Sequence, residues 1–288
     1  MNLCDLQEIR ALLAKYGFHL SKTRGQNFLI QEQVPRQIVE LAEIDSSCGV
    51  LEIGPGIGCL TEQLCAHAAR VIAVEVDRSL KPILAETMAG QDNLAFIWDD
   101  IRKLSLADLV AEHFEGLRPI ACANLPYYIT TPVLTALLES GQFEAITVMV
   151  QKEVALRIQA SAGTADYSAF SIFCQYHADP EILLEVPPEC FYPRPKVTSA
   201  VIRLQVRTEP PCELSDEALF FRVVRASFAQ RRKTLINGLS AVFGSQFSKA
   251  DLQALLQDCG LPATVRGETL DIPSFAQISN ALYRRMQV

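Results

Sequence analysis

Gly49-Val50-Leu51-Glu52-Ile53-Gly54-Pro55-Gly56-Ile57-Gly58 runs from a mostly apolar segment straight into glycines at alternate positions. Gly49 to Ile53 reads as a strand of a buried parallel sheet. The glycines after it let the backbone turn tightly and come close to a ligand, because no Cβ stands in the way. A helix is expected from near Leu60. Strand, glycine turn and helix in succession open an α/β fold. The spacing is Gly-x-Gly-x-Gly, not the Gly-x-Gly-x-x-Gly of dinucleotide folds. Taken alone, such a turn is equally well explained as purely structural.

Strand ends further down the chain give the turn its meaning. Arg70 to Val74 reads as a second strand that ends at Glu75, about twenty residues past the first turn glycine, where this architecture sets an acid for ribose hydroxyls. Leu94 to Trp98 ends in Asp99-Asp100, and Ile120 to Ala123 ends in Asn124-Leu125-Pro126-Tyr127. Ala145 to Val150 is the fifth strand. Each acid could be a helix cap, the simpler reading for Asp77 or Asp99. Polar residues closing successive strands together describe an edge that suits a nucleoside.

Asn124-Leu125-Pro126-Tyr127 has chemistry of its own. An aromatic amine such as adenine N6 is a poor nucleophile, since its lone pair is delocalised into the ring. The Asn124 side-chain oxygen and the Leu125 carbonyl can accept its two N–H bonds and favour a pyramidal nitrogen. Tyr127 can stack on a base that has left its helix, and Pro126 stiffens the turn. An Asx-Pro turn closing a strand is the plainer reading of these residues in isolation.

Upstream, residues 5–16 have helical spacing, and a second helix is expected from Gln33 to about Ala42 with Pro35 in its first turn. Between them lies the basic segment Ser21-Lys22-Thr23-Arg24-Gly25-Gln26-Asn27-Phe28-Leu29, which by composition is a solvated loop. Beyond the fifth strand a helix carries Lys152 and Arg157, and Gly163 to Ser171 is expected to be a mobile loop. Glu181 to Val186 and Ser199 to Val206 read as the last strands. Between those strands, Phe191-Tyr192-Pro193-Arg194-Pro195-Lys196-Val197 presents aromatic and basic groups on an extended connection. Phe191 is either a second stacking surface or a plug at the sheet edge.

Thr208-Glu209-Pro210-Pro211 marks a domain boundary, after which the pattern turns helical. Arg222, Arg225, Arg231, Arg232, Lys233 and Lys249 follow, with no acid between Glu217 and Asp251. The chain has 288 residues, is 49% hydrophobic and carries a net charge of −7. That balance argues against indiscriminate wrapping of nucleic acid, so a polyanion has to meet a local basic face. Nine cysteines without metal-ligand spacing suit a reducing cytosol and no metal site. Neither a signal peptide nor an apolar run of membrane-spanning length is apparent, and a cytoplasmic, membrane-free location is expected.

Together these residues closely resemble the rRNA adenine dimethyltransferase family. The resemblance runs from Ser21 to about Leu239. It is carried by Gly25-Gln26-Asn27-Phe28-Leu29, Glu52-Ile53-Gly54-Pro55-Gly56-Ile57-Gly58, Asn124-Leu125-Pro126-Tyr127, Phe191-x-Pro193-x-Pro195-x-Val197-x-Ser199 and Phe228-Ala229-Gln230-Arg231-Arg232-Lys233-Thr234. The last two motifs are similar to the bacterial small-subunit branch, whose loss confers kasugamycin resistance. The resemblance implies a Rossmann-like methyltransferase sheet, mostly parallel with the last strand antiparallel, and a small all-helical C-terminal domain. The expected extents are 1–207, with a helical extension and cofactor loop over 1–45, and 212–288.

It also implies S-adenosylmethionine as methyl donor, held by Gln26, Asn27, Leu29, Gly54, Gly56, Glu75, Asp100 and Asn124. Asn124, Leu125, Pro126, Tyr127 and Phe191 are the expected catalytic group. Arg194, Lys196, Arg225, Arg231, Arg232 and Lys233 are the expected RNA contacts. In that family, two adjacent adenosines near the 3′ end of 16S rRNA each receive two methyls at N6. The expected partner is 16S rRNA within an immature small ribosomal subunit, bound by a monomer.

The chain departs from the family in two places. Tyr167-Ser168-Ala169-Phe170-Ser171 stands where Tyr-Gly-x-Leu-Ser is usual, which matters if the glycine supplies a positive φ. Asp99-Asp100-Ile101 replaces a single Asp followed by a small residue. Competing readings are a ribosome-assembly factor that binds without catalysis, a nicotinamide-dependent dehydrogenase and a DNA adenine methyltransferase. The glycine spacing and Asn124-Leu125-Pro126-Tyr127 speak against the dehydrogenase.

Overall fold

The structure, a computed structural model, describes residues 1–20, 25–230 and 233–287. The expected RNA contacts Arg231 and Arg232, and the first part of the basic loop (21–24), lie outside the described residues. Contacts divide the chain into two units, Met1–Ala155 with Ala178–Val206, and Leu156–His177 with Arg207–Val288.

The first unit begins with helix α1 (Leu6–Lys15), strand β1 (Phe28–Leu29) and helix α2 (Gln33–Leu41). Asp5 caps α1 by accepting from the Gln7 and Glu8 amides, a favourable use of an acid at a helix start. Strands and helices then alternate: β2 (Cys48–Ile53), α3 (Cys59–His67), β3 (Arg70–Val74), α4 (Lys81–Thr87), β4 (Leu94–Ile97), α5 (Leu106–His113), β5 (Arg118–Asn124), α6 (Thr130–Ser140) and β6 (Ala145–Gln151). Helix α7 (Lys152–Gln159) and helix α8 (Ala169–His177) precede β7 (Ala178–Val186), β8 (Phe191–Tyr192) and β9 (Ser199–Val206).

Among the described residues, seven strands form one sheet in the order β4-β3-β2-β5-β6-β9-β7. Neighbours from β4 to β6 are parallel, and β9 runs antiparallel to both β6 and β7. This is the Rossmann-like methyltransferase sheet expected, with its last strand reversed. The central strand β2 is buried along its whole length, as parallel strands covered on both faces must be. Its flanks β3 and β5 order the C-terminal ends of successive strands along one edge, and the polar residues that close those strands follow the same edge. β1 and β8 make a separate two-stranded ladder, Phe28 opposite Tyr192 and Leu29 opposite Phe191.

The second unit is helical. α8 joins α9 (Glu217–Phe228), α10 (Leu235–Phe243), α11 (Lys249–Asp258) and α12 (Ile272–Met286). Tyr167, Ile172 and Tyr176 pack with Phe220, Val223, Leu252 and Phe275 in its core. A single cut near Thr208 therefore misses part of this unit, because Leu156–His177 contributes apolar side chains to it.

The mobile loop expected over Gly163 to Ser171 is also corrected. Tyr167 is buried and donates from its hydroxyl to the Leu270 carbonyl at 3.0 Å. Ser168 and Ser171 exchange backbone-to-hydroxyl bonds of 3.0 and 3.3 Å, which stops the chain and starts α8 much as a capping box does. Ser168 has no positive φ, since Glu43 is the non-glycine residue in that region among those described. The missing family glycine is replaced by a cap.

Among the described residues no helix is long and apolar enough to cross a membrane.

Candidate active site

One pocket gathers the ends of β2, β3 and β5 with the Gly25–Leu29 segment and the residues after β4. Its floor is the glycine turn. Gly54 and Gly56 have φ of +72° and +61°, a region that side-chain-bearing residues rarely adopt. A Cβ on Gly56 would stand 3.1 Å from the Phe28 ring, so the turn and the Phe28 segment fit together only without one.

Glu75 closes β3 on one wall. It is 7% exposed, and its Oε1 accepts the Asp77 amide at 2.7 Å. Burial raises its pKa, against the opposing backbone N–H groups of Asp77, Gly56 and Val76. Asp77 accepts from the Ser79 amide at 3.1 Å and from Gln26 Nε2 at 3.0 Å. It is thus the cap its position suggests, and it also holds the expected cofactor residue Gln26. The other cap is Asp100, not Asp99. Asp100 accepts the Arg102 amide at 3.0 Å and pairs with the Arg102 guanidinium at 2.5 Å. That pairing holds the Asp100 carboxyl down at about 2. Asp99 instead accepts the Asp100 amide at 2.7 Å. Both acids line the pocket.

The opposite wall is Asn124-Leu125-Pro126-Tyr127. Asn124 continues β5 opposite Met149, and the Leu125 amide donates to the Met149 carbonyl at 3.1 Å. The turn is thus anchored to the neighbouring strand. Asn124 Nδ2 donates to the Asn27 carbonyl at 3.4 Å. Because an amide has one donating and one accepting end, this bond turns Oδ1 away from Asn27 and leaves it to accept. Asn27 Nδ2 donates to the Gly25 carbonyl at 3.1 Å. A Cβ placed on Gly25 would lie 3.6 Å from both Pro126 and Tyr128, so the two motifs touch. Tyr127 bonds Ser199 Oγ at 2.8 Å, and burial raises its pKa, which keeps it a neutral phenol.

Of the expected pocket residues, Gln26, Asn27, Leu29, Gly54, Gly56, Glu75, Asp100, Asn124, Leu125, Pro126 and Tyr127 line this one cavity. Phe191 does not. It is 3% exposed, pairs with Leu29 across β1 and β8, and belongs to the first unit's apolar core. In this position it fills the place of the plug at the sheet edge. Arg194 is exposed and paired with Glu189, and Lys196 is exposed. In the second unit Arg225 on α9 and Lys233 are exposed, while Arg222 lies over the Phe243 ring at 5.0 Å.

Several lining residues escaped the sequence reading. Val76 and Tyr128 are large, apolar or aromatic, and more than half exposed. Neither carries a sequence signal beyond following a strand end. Glu52 is more telling. It is 1% exposed on the all-buried strand β2, and its Oε2 has no hydrogen-bond partner. Burial pushes its carboxyl up to about 8, the nearby Thr61 hydroxyl draws it down, and Glu75 adds to the rise. Thr61 Oγ1 makes no well-formed hydrogen bond either. A carboxylate inside an apolar strand was the available signal.

These features fit a cationic nucleoside donor. The glycine turn admits close backbone approach, Glu75 can accept ribose hydroxyls, and acids outnumber the single Arg102 in the described lining. The family model for ribosomal RNA adenine dimethylase matches residues 17–282. The ribosomal RNA small subunit methyltransferase A of Geobacillus thermodenitrificans is 46% identical over 95% of this chain and 94% of its own. The protein of that name from Bacillus mycoides is 48% identical over 94% of both chains. A dimethyladenosine transferase from Plasmodium falciparum superposes with a TM-score of 0.76 at 25% identity, covering 90% of this chain and 98% of its own. The chain belongs to the ribosomal RNA adenine dimethylase family, S-adenosylmethionine-dependent enzymes that methylate ribosomal RNA.

Proposed function

We propose that this chain methylates N6 of two adjacent adenosines near the 3′ end of 16S rRNA, giving N6,N6-dimethyladenosines. The substrate is an immature small ribosomal subunit in the cytoplasm, and the enzyme acts as a monomer during subunit biogenesis. The observation that carries the reading is the orientation of Asn124. Its amide is turned by the Asn27 carbonyl so that Oδ1 is left to accept, at the lip of a pocket lined by Glu75 and the glycine turn. The names of the bacterial relatives support the small subunit as target.

S-adenosylmethionine, when bound, supplies an electrophilic methyl on a sulfonium. Gly54, Gly56, Glu75 and Asn27 are the residues to hold it. Asn124 Oδ1 and the Leu125 carbonyl accept the N–H bonds of adenine N6 and direct its lone pair into the pocket. The Tyr127 ring, tethered by Ser199, supplies a face for the flipped base. The protein's contribution is chiefly alignment, which in ideal intramolecular systems lowers a barrier by up to about 7–11 kcal/mol. Transfer leaves a positively charged N6, and this ammonium is strongly acidic and loses its proton after the methyl has arrived. Tyr127, half-buried and held as a neutral phenol, is not the base for that step.

A direct test is methyl transfer from labelled donor to undermethylated small subunits, read by nucleoside analysis. N6,N6-dimethyladenosine formation that disappears with Asn124→Ala is the expected result. Donor binding without product on such subunits would overturn the assignment of substrate.

A further inference from the structure

Glu52 has no task in the methyl transfer itself, yet its surroundings are unusual. It sits at the end of β2, immediately before Ile53 and Gly54, and lines the pocket. Its carboxyl is almost wholly buried with Oε2 unsatisfied. Every neighbouring element offers it either an acid or a group that carries no charge. On β3 the nearby titratable group is Glu75. On β5 its register partner is Cys122, and on α3 its neighbours are the Thr61 hydroxyl and the thiols of Cys59 and Cys65. A bond with Cys4 and burial keep Cys59 protonated, and burial does the same for Cys122 and Cys65. No ion pair to Glu52 occurs among the described residues.

A carboxyl in such a place cannot hold a charge cheaply, because desolvation outweighs what the Thr61 hydroxyl offers and a second acid stands beside it. It is therefore a protonated acid until a positive group arrives. The donor carries an ammonium and a sulfonium, whereas its thioether product carries only the ammonium. We infer that Glu52 makes donor binding proton-linked: the empty pocket holds a neutral Glu52, and entry of the cationic donor expels its proton and creates the counter-charge. The atoms balance simply. The Glu52 O–H bond breaks, the proton passes to buffer, and the carboxylate remains opposite the ligand's positive charge. A site that generates its anion only on demand avoids a buried unpaired charge between turnovers. It also releases the less positive product more readily than the donor. This inference rests on the reading that the pocket takes S-adenosylmethionine.

The test is calorimetric titration of the whole protein with S-adenosylmethionine and, separately, S-adenosylhomocysteine, in buffers of different ionisation enthalpy near pH 7. The dependence of apparent enthalpy on buffer reports protons released. Wild type is expected to release a large fraction of one proton per donor bound, and less with the thioether. Release should fade as pH rises past the titration of Glu52, and affinity should climb with pH in proportion to the protons released.

Glu52→Gln, an isostere of the protonated acid, should fold, bind the donor with a flat pH profile and lose that share of the release. Equal release from wild type and Glu52→Gln would overturn the inference, as would release that vanishes only in Glu75→Gln. Infrared difference spectra of wild type give a reading that needs no variant. The protonated-carboxyl stretch should be lost on donor addition, and its persistence would also overturn the inference. Absence of any binding heat would instead sink the assignment of the pocket, while binding without proton release sinks only the role of Glu52.

Discussion

The two units of this chain divide its charge. The pocket of the first is lined by Glu52, Glu75, Asp77, Asp99 and Asp100, with Arg102 the cation among the described lining residues. The second carries exposed Arg222, Arg225 and Lys233 across a stretch without an acid from Glu217 to Asp251. A net charge of −7 hides both. Apart from the exposed Asp99, these acids are buried or capping, which suits one small positive ligand at short range. The bases are solvated, where charge acts through a screened, long-range field of the kind that suits a polyanion. Charge therefore informs on function only after it has been sorted by burial and by unit.

Four variants break or sharpen that contrast. The largest effect should come from Asn124→Ala, which removes the acceptor without touching either charge set. Methyl transfer should fall by about 10³-fold or more while donor affinity, read by calorimetry, changes far less. Near-normal turnover of the folded variant would remove Asn124 from the mechanism.

Glu52→Gln should show what a buried acid costs. Its folded pKa lies above its unfolded value, so the native state holds the extra proton between pH 4.5 and about 8. Wild-type stability should therefore fall relative to the variant as pH rises through that window. The two should be equal below it and differ by up to about 5 kcal/mol above it. Parallel denaturation curves at both pH extremes would contradict this.

On the basic side, Arg225→Glu combined with Lys233→Glu should weaken binding to small subunits by about tenfold or more and flatten its salt dependence. Donor affinity should be unaltered. An unchanged salt slope would mean that this surface does not meet RNA.

The smallest effect is expected for Ser199→Ala, which frees the Tyr127 hydroxyl at a cost of about 1 kcal/mol. It should raise KM for the ribosomal substrate more than it lowers kcat, and Ser199→Thr should restore much of the loss. A variant that lowers only thermal stability would limit Ser199 to packing.

The sheet and the placing of its polar ends were legible because both are local. Each apolar run of strand length lies within a few residues of the polar or turn residue that follows it, Gly54, Glu75, Asp100 or Asn124. Phe191 was not legible. The same motif suits a surface platform or a plug, and the choice is made by Leu29, far away in sequence, pairing with it across β1 and β8. Ser168 and Ser171 read as loop residues because small polar residues are ambiguous alone. Their reciprocal bonds and the packing of Tyr167 make them a helix start.

By itself the sequence determined the class of fold, the family and the residue types gathered for methyl transfer, since hydrophobic period, turn glycines and motif spacing are properties of neighbours along the chain. Tertiary structure alone decided which end of the Asn124 amide is left to accept, which of two adjacent aspartates caps a turn, and that Glu52 is buried beside Glu75 with Oε2 unpartnered. Those outcomes depend on burial and on hydrogen bonds between segments remote in sequence, and no reading along one dimension contains them.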